Sequence, residues 1–279
     1  NNLKDMKNKT IAIYVFLDDI MKEIGHKEQK NRNISDSEII TTALIAAKYF
    51  HGHIDNAISF VKGSGLMPKM LSKSRFNRRI HAIYDLIINL FFNIAEIVKK
   101  INITSEYIID SFPVAVCENI RIARSRIITG EQYRGYKPSL RKYFYGFTIQ
   151  VIATVDGIPV EFAILPGSYH DIEGMKNMFF NLPEGSIIYG DSAYTDYNFE
   201  EVCLEAENIK MMISRKSNSK RKHQPWQEYL ISVSRKRIET SFSQISVMFP
   251  KIIYAVTVEG SLLKVVLFIF VFTLNEKLL

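Results

Sequence analysis

A chain of 279 residues suits one large domain or a catalytic domain with a smaller companion. Hydrophobic residues make up 47% of it, with 14 Tyr and 18 Phe, which excludes wholesale disorder. Lys and Arg number 36 against 29 Asp and Glu, and the resulting charge of +7 favours a polyanionic partner over a basic one. Cys117 and Cys203 are the only cysteines and form no CxxC, which argues against a disulfide framework and against a zinc–thiolate cluster. The first residues carry no signal-peptide pattern. The apolar run over 265–273 falls short of the about 20 residues that a bilayer span requires. A cytoplasmic, nucleoid-associated protein without a membrane partner is expected.

Residues up to about 100 read as helical. Ser35-Asp-Ser-Glu38 is a capping-box signature leading into Ile39, Ile40, Leu44, Ile45 and Tyr49 at helical spacing. A turn is expected at His51-Gly-His53, a short helical segment from Ile54 to Val61, and a break at Lys62-Gly-Ser-Gly-Leu66. From Ser72 one long helix is predicted to about Lys100, its first turns carrying Lys73, Arg75, Arg78, Arg79 and His81. That basic leading face, after a helix and a turn, suits docking on DNA; a solvated face of a helical bundle is the plain alternative. The division expected is a helical DNA-binding or oligomerisation region over 1–103 and a catalytic domain over 104–279.

From about 104 the apolar period changes to two. Strands are predicted over Tyr107–Phe112 and Arg141–Val155, then a tight turn at Asp156-Gly157 into Ile158–Leu165. A helix over about Asp171–Phe180 and a strand over Ile187–Asp191 follow. Next come a helix over about Asp196–Ala206, a strand at Met211–Ser214 and a long helix over Trp226–Phe249. This order implies a mixed sheet with helices packed against it.

Three acids stand out. Asp110 ends the run Tyr107-Ile-Ile, Asp191 ends Ile187-Ile-Tyr-Gly, and Glu239 lies at the margin of the stripe Ile238, Phe242, Ile245 and Phe249. Two strand-borne aspartates and a helix-borne glutamate suit two hard divalent ions about 4 Å apart acting on a phosphodiester, because such ions take oxygen ligands. Each acid also has a plain alternative: an ion pair or a loop cap for Asp110, an N-cap for Asp191, and a surface pair with Arg235 for Glu239. Asp171 is most simply an N-cap and Asp156 a turn residue. No GxSxG or HExxH pattern supports a serine hydrolase or a zinc enzyme. Basic segments flank the acids. Arg121, Arg124, Arg126, Arg134, Lys137, Arg141 and Lys142, interleaved with tyrosines, separate the first two. Arg215, Lys216, Lys220, Arg221, Lys222 and His223, followed by Trp226, separate the last two. Such residues neutralise phosphates and stack on bases.

The segments Ile108-Ile-Asp110-Ser-Phe-Pro, Leu165-Pro-Gly-Ser-Tyr-His-Asp171, Tyr189-Gly-Asp191-Ser-Ala-Tyr and Arg237-Ile-Glu239-Thr-Ser-Phe-Ser-Gln resemble those of bacterial insertion-sequence transposases of the DDE type, most closely the nine-eighty-two group. The resemblance implies an α/β, RNase H-like mixed sheet flanked by helices, with an all-α amino-terminal region. It implies that Asp110, Asp191 and Glu239 are the catalytic, metal-holding triad for two Mg²⁺ or Mn²⁺ ions. It implies double-stranded DNA as partner, both terminal inverted repeats and target, cut and joined within a homodimer or higher synaptic oligomer. Arg235, Arg237, Arg215, Lys216, Lys220, Arg221, Lys222, Arg75, Arg78 and Arg79 are the candidate DNA-binding residues. Where the broader insertion-sequence-four-like pattern has Tyr and Lys around its glutamate, this chain has Ser232 and Ser246. An RNase H-like nuclease without strand transfer, and an inactive DNA-binding regulator, are the alternatives.

Overall fold

The computed structural model describes residues 2–28, 31–125, 127–137, 141–178, 180–250, 253 and 255–274, with the side chains of 2, 124, 238, 241 and 246 outside that description. The chain divides into two compact units, 1–93 with 257–279, and 94–256. The division between them falls inside the helix Tyr84–Ile101 rather than at the 103/104 boundary expected from the sequence, and the segment from Thr257 groups with the amino-terminal helices.

The first unit contains α1 (Asn2–Glu23), α2 (Asp36–Phe50), α3 (Ile54–Gly63), α4 (Lys73–Ala82), the start of α5 (Tyr84–Ile101) and, from the far end of the chain, α9 (Val258–Thr273). The capping box forms as expected: Glu38 N donates to Ser35 Oγ at 3.1 Å, and Ser35 N donates to the Glu38 carboxylate at 2.7 Å. Two of the amide donors that every helix start leaves open are thereby satisfied. Ile39 to Ala47 are buried on all sides, so α2 is the central helix of this unit. It ends at His51 in the left-handed region, and Gly52 follows at φ +80° with Phe268 of α9 packed 3.5 Å from where a Cβ would stand. The apolar run near the C-terminus becomes α9, buried along almost its whole length, with Phe270 edge-on to Phe91.

The single long helix predicted from Ser72 is instead two, α4 and α5, bent by 60° at Ile83. No Gly or Pro marks the bend. Ile83 leaves the helical dihedrals (φ −111°, ψ 22°) while its side chain stays buried, so packing overrides an unbroken helical pattern. Among the described residues, no single helix is long and apolar enough to cross a membrane.

The second unit is built on six strands: β1 (Glu106–Cys117), β2 (Arg134–Lys137), β3 (Lys142–Thr154), β4 (Pro159–Pro166), β5 (Ile187–Gly190) and β6 (Lys210–Ile213). The sheet runs β2-β3-β1-β5-β6, with β4 also paired to β3. β3 pairs antiparallel to β1 along one edge, with Asp110 opposite Val151, and on its other edge takes β4 and then β2. β1, β5 and β6 are mutually parallel. The turn at Asp156-Gly157 forms as predicted, Gly157 at φ +87°. β3 is buried on both faces from Phe144 onward, which fits a central strand more than the half-exposed alternation expected from its sequence. The remaining helices are α6 (Asp171–Asn177), α7 (Tyr197–Glu207) and α8 (Pro225–Met248). α8 lies against β1, β5 and β6, seating Phe242 and Phe249 on Phe112. β2 is not among the predicted strands; its residues lie in the basic segment interleaved with tyrosines. This is the mixed, helix-flanked α/β architecture that the RNase H-like expectation requires.

Candidate active site

The register of β1 and β5 brings two of the three acids together. Their parallel pairing ends at Ile108 opposite Tyr189, and Asp110 and Asp191 each stand two residues further on. They therefore sit side by side just past the end of that pairing, Asp191 at the carboxyl end of β5, where open α/β sheets place their ligands, and Asp110 within β1, which runs on to Cys117. Asp191 also caps the short turn at Ser192–Tyr194, accepting from Ala193 N at 2.7 Å, while Asp196 caps α7. Its capping role and its place beside Asp110 are compatible. Gly190, just before it, has no room for a side chain between Ile109, Ile213 and Tyr194.

A third acid arrives from an unexpected direction. Asp171 is not the N-cap of α6; His170 holds that position and Asp171 is the first helical residue. Its carboxylate accepts the hydroxyl of Ser111, and its carbonyl accepts Gln150 Nε2 at 3.1 Å. Gly174, one turn on, lets α6 settle against Gln150 and Leu165, where any Cβ would collide with both. The sequence offered a signal for this, a His-Asp pair at a helix start, but helix capping explained it equally well.

The charges are mutually felt. Burial, with the negative charges of Asp191 and Asp171, pushes the Asp110 carboxyl up to about 6, against the opposing pull of Lys137 and the Ser111 amide. Tyr194 is fully buried, and its hydroxyl is pushed well above the usual phenol range by that burial and by Asp171, Asp110 and Asp191. Its hydroxyl and Gln150 Oε1 have no hydrogen-bond partner among the described residues. Carboxylates that feel one another's charge beside buried oxygen atoms are hard donors of the kind that suits a divalent cation.

Glu239 stands on α8, exposed and making no ion pair or hydrogen bond among the described residues, so the surface pair with Arg235 does not form. Alternation along β1 puts Asp110 on the face of Phe112, the face that α8 covers. Arg235, Arg237, Lys216, Lys220 and Lys222 are exposed without ion pairs among the described residues, as are Trp226 and Tyr229 nearby. Arg215 and Arg221 are engaged: Arg215 is 7% exposed and pairs with Glu200, Arg221 pairs with Glu201, and both lie over the Tyr197 ring. Arg126 and the side chains of Arg124, Ile238 and Ser246 lie outside the described residues.

In the helical unit, Arg75 and Arg78 are exposed on α4, but Arg79 turns inward. It grips Asp36, which is 2% exposed, through Nε at 2.8 Å and through Nη2, and Arg32 and His26 complete the surround. The ligand atoms of His26, Glu28 and Asp36 lie within 4.8 Å of one another, a spacing that could hold a metal. Two guanidinium groups already neutralise Asp36, so the cluster is better explained as an ion-pair lock.

No curated protein and no solved structure matches the chain. A family model described as "Transposase DDE domain" matches residues 100–251, which span β1 to the end of α8 and contain every acid of the candidate site. With paired aspartates at the end of a parallel strand pair in a mixed α/β sheet, and more than half its length matched, this chain belongs to the transposase DDE domain family.

Proposed function

We propose that the protein is a transposase of the nine-eighty-two group that cleaves DNA at insertion-sequence terminal inverted repeats and joins the 3′-hydroxyl ends to target DNA. The observation that carries the reading is the convergence of Asp110 and Asp191 at the end of one parallel strand pair within a transposase domain. Asp110, Asp191 and Glu239 are the side chains that would hold two Mg²⁺ or Mn²⁺ ions. When bound, such ions supply activation of the nucleophile and stabilisation of the leaving oxygen in a displacement at phosphorus.

The chain's own residues do the rest. Burial makes an uncompensated charge on Asp110 costly, which favours a cation beside it. Asp191 is fixed by its bond to the Ala193 amide. Glu239, unpaired, is free to ligate. Arg235, Arg237, Lys216, Lys220 and Lys222 neutralise backbone phosphates, and Arg215 and Arg221 stiffen that basic segment through their carboxylate partners. In the helical unit, Arg75 and Arg78 face DNA and Arg79 holds α4 in place. The active form is a homodimer or higher synaptic oligomer on double-stranded DNA.

Incubation with repeat-end DNA and Mn²⁺ tests this. Wild type yields cleaved and joined products, whereas Asp110→Asn, Asp191→Asn and Glu239→Gln each lose at least about a hundredfold in rate. Near wild-type cleavage by Asp110→Asn would falsify the assignment, and cleavage without joined products would make the protein a nuclease.

A further inference from the structure

β2 ends in a lysine with an unusual attachment. The Lys137 ammonium donates to the carbonyl oxygen and to the hydroxyl of Ser111, both at 3.0 Å, and the same hydroxyl donates to Asp171. Among the described residues Lys137 makes no ion pair. The other enclosed cations of this unit behave differently: Lys99 sits directly on Glu161, and Arg215 on Glu200. Lys137 is instead hung on neutral oxygens, with its charge felt at Asp110 beside those of Asp191 and Asp171.

The consequence follows from the strand. Asp110 and Ser111 are adjacent in β1, so their side chains leave on opposite faces. Bonded to Ser111, the ammonium pairs with none of the carboxylates among the described residues and so leaves their oxygen atoms open to a metal ion. Its charge still acts across so short a distance in a site of low effective dielectric, and it opposes the arrival of a second cation.

We propose that Lys137 is a built-in counter-cation of the acid cluster, a positioning residue that offsets part of its negative charge when the site is empty and lowers its affinity for divalent ions. This rests on the metal-site reading given above. A site offset in this way carries its carboxylates at lower cost in the metal-free protein than it would without Lys137, and releases its ions more readily.

Titration of the DNA-free, full-length protein with Mn²⁺, followed by electron paramagnetic resonance, tests the proposal. Lys137→Gln keeps a donor for Ser111 but removes the charge, and is expected to bind Mn²⁺ roughly three- to tenfold more tightly than wild type. Lys137→Arg keeps the charge and is expected to stay within about twofold of wild type. Circular dichroism checks folding, with Lys137→Met as the second neutral variant. Equal or weaker binding by the neutral variants overturns the proposal, as does tightening by Lys137→Arg to the same degree. Wild-type Mn²⁺ binding that is indifferent to Asp110→Asn would overturn the metal-site reading itself, and this inference with it.

Discussion

Asp110 is costly to the metal-free protein. Its carboxyl is held at about 6 in the fold against 3.8 for an ordinary aspartate, so the folded state binds a proton more tightly than the unfolded one. Stability contributed this way is fully present below about pH 4 and declines as pH rises through the window up to about 6. In EDTA the wild type should therefore be less stable at pH 7.5 than at pH 4.5 as far as this group decides it. Asp110→Asn should gain about 1–3 kcal/mol at pH 7.5 and little at pH 4.5. Urea denaturation at the two pH values measures it, and a gain equal at both would show that titration of Asp110 is not the source. Asp110 and Asp191 were legible in the sequence because each follows an apolar run that ends in the same way. Asp171 and Lys137 were not, because their roles depend on which strand and helix ends the fold brings to Ser111, and sequence spacing does not encode that.

Among the elements, α4 shows how one helix divides its basic residues between two tasks. Arg79→Ala strands the buried Asp36 carboxylate and should destabilise the protein by about 3 kcal/mol, read from chemical denaturation. Arg75→Ala and Arg78→Ala should each change stability by less than about 0.5 kcal/mol and instead weaken DNA binding in a shift assay. If all three variants were equally stable, the lock around Asp36 would have been misjudged. The start of α2 gives a second measure: Ser35→Ala removes the oxygen that receives the Glu38 amide and should cost about 1 kcal/mol. Its capping box was readable because its chemistry is local. The break at Ile83 was not, since the apolar period runs through it without a glycine or proline and only the burial of Ile83 decides the bend.

For the molecule as a whole, the net charge of +7 favours DNA, and the number of phosphates contacted sets how binding responds to salt. Each phosphate contact made by Lys216, Lys220 or Lys222 adds about 0.9 to the magnitude of the slope of log affinity against log salt. Replacing all three with alanine should lower that magnitude by about 2–3 in fluorescence anisotropy titrations. An unchanged slope would place the lysines away from DNA. The mixed α/β character of residues 106–248 followed from the change of apolar period. Grouping α9 with the amino-terminal helices did not, because a wholly apolar run declares burial without declaring its neighbours.

The return of the chain to its first unit orders events during synthesis. α9 packs on α2 and α4, so the helical unit cannot close until residues beyond Thr257 have left the ribosome. Translation at roughly 5–20 residues per second puts about ten to thirty seconds between its first and last parts. By the end of that interval all three acids are made, while the apolar face awaiting α9 is still bare. A message cut short anywhere in the second unit therefore yields a protein that never completes its first one.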